Sequence, residues 1–136
     1  AEQFPESLII GSDQVATLDN TIIGKPCDHE KAVKQLKNAS GRKVVFYTGL
    51  CLLNTKTGNT QIEVIQFNVT FRKLTDQQID NYLKKEQPYN CAGSFKSEGL
   101  GVALFEKMEG DDPSALIGLP LIRLTSMLNE ENIHVI

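Results

Sequence analysis

The hydrophobic pattern of this chain begins with three consecutive aliphatic residues, Leu8-Ile9-Ile10, which are followed by glycine, serine and the acidic residue Asp13. An apolar run with a polar end predicts a buried strand. Residues 18–23 predict a returning strand, because Asp19-Asn20 has the composition of a tight turn. The return would bring Lys25 back towards Asp13. Since open α/β sheets bind ligands outside the carboxyl ends of their strands, we expect a cleft at the end of this first strand.

A helix and two long strands are predicted next. Asp28 is a candidate N-cap, and apolar residues follow it at helical spacing until Gly41, a residue typical of the position just past a helix end. Residues 43–53 are rich in β-branched and apolar residues, and a polar turn separates them from a second strand at residues 61–74. The alternation in that second strand breaks at Val64-Ile65, which indicates a bulge or a change of the buried face.

The last part of the chain adds helices around a glycine-rich loop. Thr75-Asp76-Gln77-Gln78 is a capping box and predicts a helix start. Residues 91–101 contain three glycines and predict an ordered loop, followed by a short strand at 102–105. Gly110-Asp111-Asp112-Pro113 is a strong turn signal, so we assign its two acidic residues to the turn rather than to a metal. A further turn and a final apolar helix are predicted within residues 116–128, and the pattern as a whole predicts an α/β fold.

Composition narrows the function classes. The 136 residues are 40% hydrophobic and 23% charged, which is typical of one globular domain. A net charge of −3 gives no basic field for nucleic acid, and no apolar run approaches the ~20 residues that span a membrane, so we expect neither partner. Three cysteines without a CxxC pair indicate reduced thiols and a cytoplasmic protein. A small anionic ligand is compatible with these properties.

Asp13, Lys25 and the loop at residues 93–101 are the candidate groups for phosphate chemistry. Hydrolysis of a phosphate compound needs a divalent cation held by carboxylates, together with positive groups that bind the phosphate charge. Asp13 supplies a carboxylate, Lys25 supplies an ammonium group, and Lys96 in the loop offers a second cation. The alternative is that all of them are solvated polar residues, and the residues alone leave both interpretations open.

Glu98 is a candidate for base recognition, because a carboxylate between Ser97 and Gly99 does not help to fill a core. A carboxylate can accept two parallel hydrogen bonds from the N1–H and the exocyclic amine of guanine. It also favours a base that carries positive charge. The residues alone leave it equally open that Glu98 is an exposed loop glutamate.

Five blocks of the sequence, in order and spread over essentially the whole chain, resemble the Maf family. They are Ile10-Gly11-Ser12-Asp13-Gln14-Val15, Gly24-Lys25-Pro26, Tyr47-Thr48-Gly49, Cys91-Ala92-Gly93-Ser94-Phe95-Lys96-Ser97-Glu98-Gly99 and Leu116-Ile117-Gly118-Leu119-Pro120-Leu121. The resemblance implies a mixed, twisted sheet flanked by helices, of the Maf and inosine-triphosphatase type. It also implies a nucleoside triphosphate pyrophosphatase, and the most similar subgroup is the bacterial 7-methyl-GTP pyrophosphatases.

The resemblance assigns roles to individual residues. It implies hydrolysis of the α–β phosphoanhydride to a nucleoside monophosphate and pyrophosphate, with Mg²⁺ or Mn²⁺ as the cofactor. Asp13 matches the catalytic acid, which is also associated with the metal, and Lys25 matches the lysine that binds phosphate. Gln14 and Glu98 match the positions that set base preference for 7-methyl-GTP, and Glu98 suits that role because N7-methylguanine is cationic.

The chain departs from the family at its start. Family members begin with a strand and a Ser/Arg-rich phosphate loop, whereas this sequence starts just ahead of the strand that carries Asp13. We therefore expect residues 1–136 to form a single, partial Maf-like domain, truncated at the N-terminus, which associates as a dimer. Two alternatives stay open: hydrolysis of another non-standard or pyrimidine triphosphate, and binding of a nucleotide or a protein partner without turnover.

Overall fold

The computed structural model describes residues 5–136, which form a five-stranded sheet flanked by helices and confirm the α/β class. The sheet order is β2-β1-β3-β4-β5, and β1–β2 and β4–β5 are antiparallel pairs. The elements are β1 Leu8–Leu18, β2 Thr21–Ile23, α1 His29–Ala39, β3 Lys43–Asn54, β4 Thr60–Phe71, α2 Asp76–Glu86, β5 Phe105–Glu109, α3 Pro113–Ile117 and α4 Leu121–Glu130, with 3₁₀ turns at Ala92–Ser94 and Leu100–Leu104.

The first strand is much longer than the sequence predicts. β1 does not end after Ile10 but continues through Asp13 to Leu18, so the predicted strand end, at which we expected a cleft, is wrong. The strand is also less buried than predicted, since 46% of Ile10 is exposed. The predicted return is confirmed, because Leu18 pairs with Thr21 across a two-residue turn, Asp19-Asn20, whose φ angles are 50° and 64°.

The predicted helix ends are confirmed by hydrogen bonds. Asp28 caps α1, since its Oδ1 accepts from the backbone N–H of Lys31 at 2.8 Å. Gly41 follows α1 with a φ of 69°, a left-handed conformation that favours glycine. Thr75 and Gln78 exchange the two bonds of the capping box at the start of α2.

Two predictions for the last part of the chain need correction. Residues 102–104 belong to a 3₁₀ turn rather than to a strand, and β5 starts only at Phe105. The segment at 116–128 contains the end of α3 as well as most of α4, and a break at Gly118–Pro120 separates the two helices. Proline at the start of α4 suits a position whose backbone N–H has no helical partner.

The contacts within the chain divide it into two compact units. The first unit consists of residues 5–14, 47–66 and 112–136, and the second unit consists of residues 15–46 and 67–111. β1, β3 and β4 contribute residues to both units, so the division does not follow the order of the sequence. The expectation of a single, partial domain stays a prediction.

Each unit has its own apolar core. In the first unit, buried residues of β3 and β4 pack with α3 and α4: Leu50, Leu52, Ile65, Ala115, Leu124 and Met127. In the second unit, four phenylalanines make edge-on ring contacts with centroids 5.2–5.5 Å apart: Phe46, Phe71, Phe95 and Phe105. No helix within residues 5–136 is long and apolar enough to span a bilayer.

Candidate active site

Asp13 lies in the middle of β1, in the first unit, with an exposed side chain. Its Oδ1 accepts a hydrogen bond from the backbone N–H of Gln14 at 2.9 Å, whereas no residue in the described part of the chain donates to its Oδ2. The preceding residue, Ser12, donates through its hydroxyl to the carbonyl of Gly118 at 2.6 Å. Asp13 therefore presents a carboxylate oxygen to solvent, from a strand that Ser12 anchors to Gly118.

Gln14 is held by the end of α3. Its side-chain nitrogen Nε2 lies 2.8 Å from the carbonyl oxygen of Ala115, 3.2 Å from that of Leu116 and 3.1 Å from Oγ1 of Thr48. The buried Thr48 also donates to the carbonyl of Ala115 at 3.0 Å. Carbonyls in the last turn of a helix need such external donors. The amide nitrogen of Gln14 is thus engaged within the chain, and its Oε1 accepts no hydrogen bond from residues 5–136.

Lys25 belongs to the second unit, in the loop between β2 and α1, and its side chain is exposed. The backbone around it is fixed on both sides. The carbonyl of Gly24 accepts from Nε2 of Gln35 at 2.9 Å and from the N–H of Gly93 at 3.4 Å. The N–H of Cys27 donates to the carbonyl of Tyr89 at 2.9 Å. The ammonium group of Lys25 therefore extends from an anchored backbone.

Glu98 lies in the same unit, in the turn 97–99, and its exposed carboxylate accepts from the hydroxyl of Ser97 at 3.3 Å. The turn closes tightly, since the N–H of Gly101 donates to the carbonyl of Lys96 at 3.0 Å. A Cβ atom at Gly101 would collide with that carbonyl, so the closure requires glycine. The loop composition predicted an ordered loop here, and the structure confirms it.

Four charged residues of the second unit influence the pKa of the Cys91 thiol. Burial raises the pKa of this thiol; Glu98 and Glu86 raise it further, whereas Lys96 and Lys25 lower it. Lys25 and Glu98 both influence the pKa of this thiol, although 73 positions separate them in sequence. The sequence predicted Cys91 as a reduced thiol in the glycine-rich loop but not its electrostatic coupling to Lys25 and Glu98, because Lys25 is too distant in sequence to form a local pattern with it.

Asp112 has the structural role that the turn signal predicts. It is 3% exposed and accepts hydrogen bonds from the N–H of Ser114 at 2.9 Å, from the hydroxyl of Ser114, and from the N–H of Ile122 at 2.8 Å. Burial alone would raise the pKa of this carboxyl, but the hydrogen bonds it accepts hold the pKa below its usual range. Asp112 thus joins the starts of α3 and α4 as a carboxylate.

No three His, Cys, Asp or Glu side chains come together around a possible metal position within residues 5–136. This arrangement is compatible with Mg²⁺, which is commonly bound through one or two carboxylates together with water and the phosphates of a substrate. The exposed Asp13, whose Oδ2 accepts no hydrogen bond from residues 5–136, has the donor chemistry for such a site.

Comparison with known proteins identifies one family. The sequence profile of the Maf family, described as Maf-like protein, matches residues 1–131. A protein of Nitrosococcus oceani named 7-methyl-GTP pyrophosphatase is 62% identical over 126 residues, which are 93% of this chain and 63% of that protein. Proteins of the same name from Methylobacillus flagellatus and Aliivibrio fischeri are each 57% identical, over 100% and 97% of this chain. The chain spans 63% to 71% of the length of these three relatives.

Proposed function

This chain belongs to the Maf family, and from that membership we propose that it is a nucleoside triphosphate pyrophosphatase whose substrate is 7-methyl-GTP. The observation that carries the proposal is the identity of 56–62%, over nearly the whole chain, to proteins named 7-methyl-GTP pyrophosphatase. In the proposed reaction, water adds to phosphorus and the α–β phosphoanhydride breaks. The products are 7-methyl-GMP and pyrophosphate.

We assign the proton-accepting role to Asp13. A carboxylate that acts on water needs an oxygen within reach of that water, and the exposed Oδ2 of Asp13 is free of protein donors within residues 5–136. The same carboxylate is our candidate ligand for Mg²⁺ or Mn²⁺. When bound, the cation would supply positive charge that offsets the negative charge of the phosphates.

Lys25 is assigned to the phosphates. Phosphoryl transfer depends mainly on positioning and on stabilisation of negative charge. An ammonium group on a fixed backbone meets that requirement better than one on a mobile loop, because it needs less reorganisation as charge develops. The anchoring of Gly24 and Cys27, on either side of Lys25, supports this role.

Glu98 and Gln14 are assigned to the base. Glu98 offers a carboxylate, and Gln14 offers Oε1, because its Nε2 is engaged by Thr48 and α3. Both groups are acceptors, which suits guanine with its N1–H and exocyclic amine donors. Uracil and thymine present a single N–H between two carbonyls, which a carboxylate would repel. The positive charge of N7-methylguanine adds attraction to Glu98.

The experiment that tests the proposal is a measurement of pyrophosphate release from 7-methyl-GTP, GTP and UTP in the presence of Mg²⁺. We expect the highest kcat/KM for 7-methyl-GTP. We also expect Asp13→Asn to abolish pyrophosphate release, because this substitution removes the charge of the side chain and keeps its shape. Asp111→Asn is the matched control, since Asp111 is also exposed and is assigned to a turn rather than to the reaction. Saturable nucleotide binding without pyrophosphate release would instead indicate a binding module.

Two further properties are part of the proposal. We expect the protein to act in the cytoplasm, where its three cysteines would stay reduced. We also expect it to form a homodimer. The side chains of Ile62 and Val64 on β4 are 72% and 68% exposed, and burying these apolar surfaces against a second copy of the chain would lower the free energy. The molecular mass of the protein in solution, measured as a function of its concentration, tests this second expectation.

A further inference from the structure

We propose that Gln35 is a positioning residue, which fixes Lys25 against the loop that carries Glu98; this inference rests on the proposed function. Gln35 lies on α1 and is half-buried. Its Nε2 donates to the carbonyl of Gly24 at 2.9 Å, and its Oε1 accepts from the hydroxyl of Ser94 at 2.5 Å. One side-chain amide thus joins the residue before Lys25 to the glycine-rich loop.

Two backbone bonds complete the connection. The N–H of Gly93 donates to the carbonyl of Gly24, and the N–H of Cys27 donates to the carbonyl of Tyr89. We call these two bonds and the two bonds of Gln35 the loop clamp; it joins residues 24–27 to residues 89–94. Because Lys25 lies between the two clamped positions, the clamp determines where its side chain starts. The shared influence of Lys25 and Glu98 on the Cys91 thiol agrees with this placement.

The clamp uses both polar atoms of the Gln35 amide. Nε2 donates to one segment and Oε1 accepts from the other, which neither an apolar side chain nor a carboxylate can do. Leaving the hydroxyl of Ser94 without a hydrogen-bond partner would destabilise the fold, because Ser94 is fully buried. Ser94 also has a φ of 66°, an unfavourable conformation for serine that the surrounding contacts must hold. The helix pattern of α1 does not explain this glutamine, since its buried face is formed by Ala32, Leu36 and Ala39.

Hydrogen exchange tests the clamp independently of activity. Gln35→Met removes both polar groups at similar length, and Gln35→Glu keeps the acceptor for Ser94 while it removes the donor to Gly24. We expect the Cys27 and Gly93 amides to exchange faster in Gln35→Met by about tenfold, the effect of one net hydrogen bond. The Ile79 amide in α2 should be unaffected. Gln77→Met is the matched control, because Gln77 is exposed and, among the described residues, its side chain bonds only Asn81 of its own helix.

A double-substitution cycle tests whether Gln35 acts through Lys25. Gln35→Met should lower kcat/KM for 7-methyl-GTP by roughly 10- to 100-fold, the range expected when a reacting group is misplaced. In a Lys25→Ala background, the same substitution should cost less than about threefold, because there is no longer an ammonium group to position. A residue that only stabilises the fold would instead reduce the activity by the same factor in both backgrounds.

The outcomes separate the inference from the proposed function. The positioning role is supported if only the Cys27 and Gly93 amides exchange faster and if the effect of Gln35→Met on kcat/KM is smaller in the Lys25→Ala background. The inference would be overturned by unchanged exchange at these two amides, by faster exchange throughout the chain, or by the same fold-loss of kcat/KM in both backgrounds. If the wild-type chain releases no pyrophosphate, the proposed function fails, and the exchange of the Cys27 and Gly93 amides alone decides whether Gln35 holds the two segments together.

Discussion

Replacing Asp112 by asparagine should destabilise the fold strongly, although the two side chains have the same shape. The carboxylate of Asp112 accepts from Ser114 twice and from Ile122 once, and it is almost completely buried. An asparagine side chain has one acceptor oxygen instead of two, so at least one buried donor loses its partner. An unsatisfied buried donor costs about 1–3 kcal/mol, and the remaining bonds lose their ionic strengthening. We expect the free energy of unfolding at neutral pH to fall by about 2–4 kcal/mol.

The pH dependence makes the prediction specific. The accepted hydrogen bonds hold the pKa of Asp112 below its usual range against the opposing effect of burial. A carboxyl whose pKa is lower in the folded state contributes stability above the unfolded pKa, and this contribution is lost as pH falls through the folded pKa. The difference in unfolding free energy between wild type and Asp112→Asn should therefore be full at neutral pH and shrink below about pH 4. Urea unfolding at several pH values measures it.

The neighbouring residue provides the control. Asp111 is exposed, and Asp111→Asn should change the unfolding free energy by less than about 0.5 kcal/mol. Equal effects at the two positions, or an Asp112→Asn effect that does not change with pH, would refute the reasoning. Because Asp112 holds the start of α3, and the end of α3 holds Gln14, the Asp112 variant should also weaken selectivity for guanine.

Three further predictions concern the proposed activity and association. Lys25→Ala should lower kcat/KM by roughly 10²–10³, the usual effect of losing a preorganised charge, with the exposed Lys34→Ala as the control. Glu98→Gln should reduce the preference for 7-methyl-GTP over UTP by at least about tenfold with a smaller effect on kcat, and an unchanged ratio would leave Glu98 as an ordinary loop residue. Val64→Lys should weaken self-association in sedimentation experiments, and a wild-type chain that is monomeric at high concentration would contradict the dimer.

Features that depend on neighbouring residues could be predicted from the sequence. The caps at Asp28 and Thr75 and the Asp19-Asn20 turn are formed by side chains and dihedral angles within a few positions of one another. The length of β1 could not be predicted, because residues 11–14 have weak strand propensity and a strand there depends on β3, the neighbour of β1 in the sheet that is distant in sequence. In β4 the break in alternation at Val64-Ile65 did predict where the pattern changes, since the buried face begins at Ile65, whereas Ile62 and Val64 are exposed.

The candidate residues differ in how far a sequence can specify them. Asp13 lies on a regular strand, but residues 10–13 are all exposed, so the alternation typical of a strand does not predict the exposure of Asp13. Lys25 and Glu98 lie on loops whose positions depend on hydrogen bonds between distant segments, such as those of Gly24 with Gln35 and Gly93. Gln35 is one polar residue on an amphipathic helix, and the sequence does not show that it bonds Gly24 in a distant loop. Resemblance to a family can therefore assign the groups that react, whereas the residues that position them become visible only when the contacts of the folded chain are known.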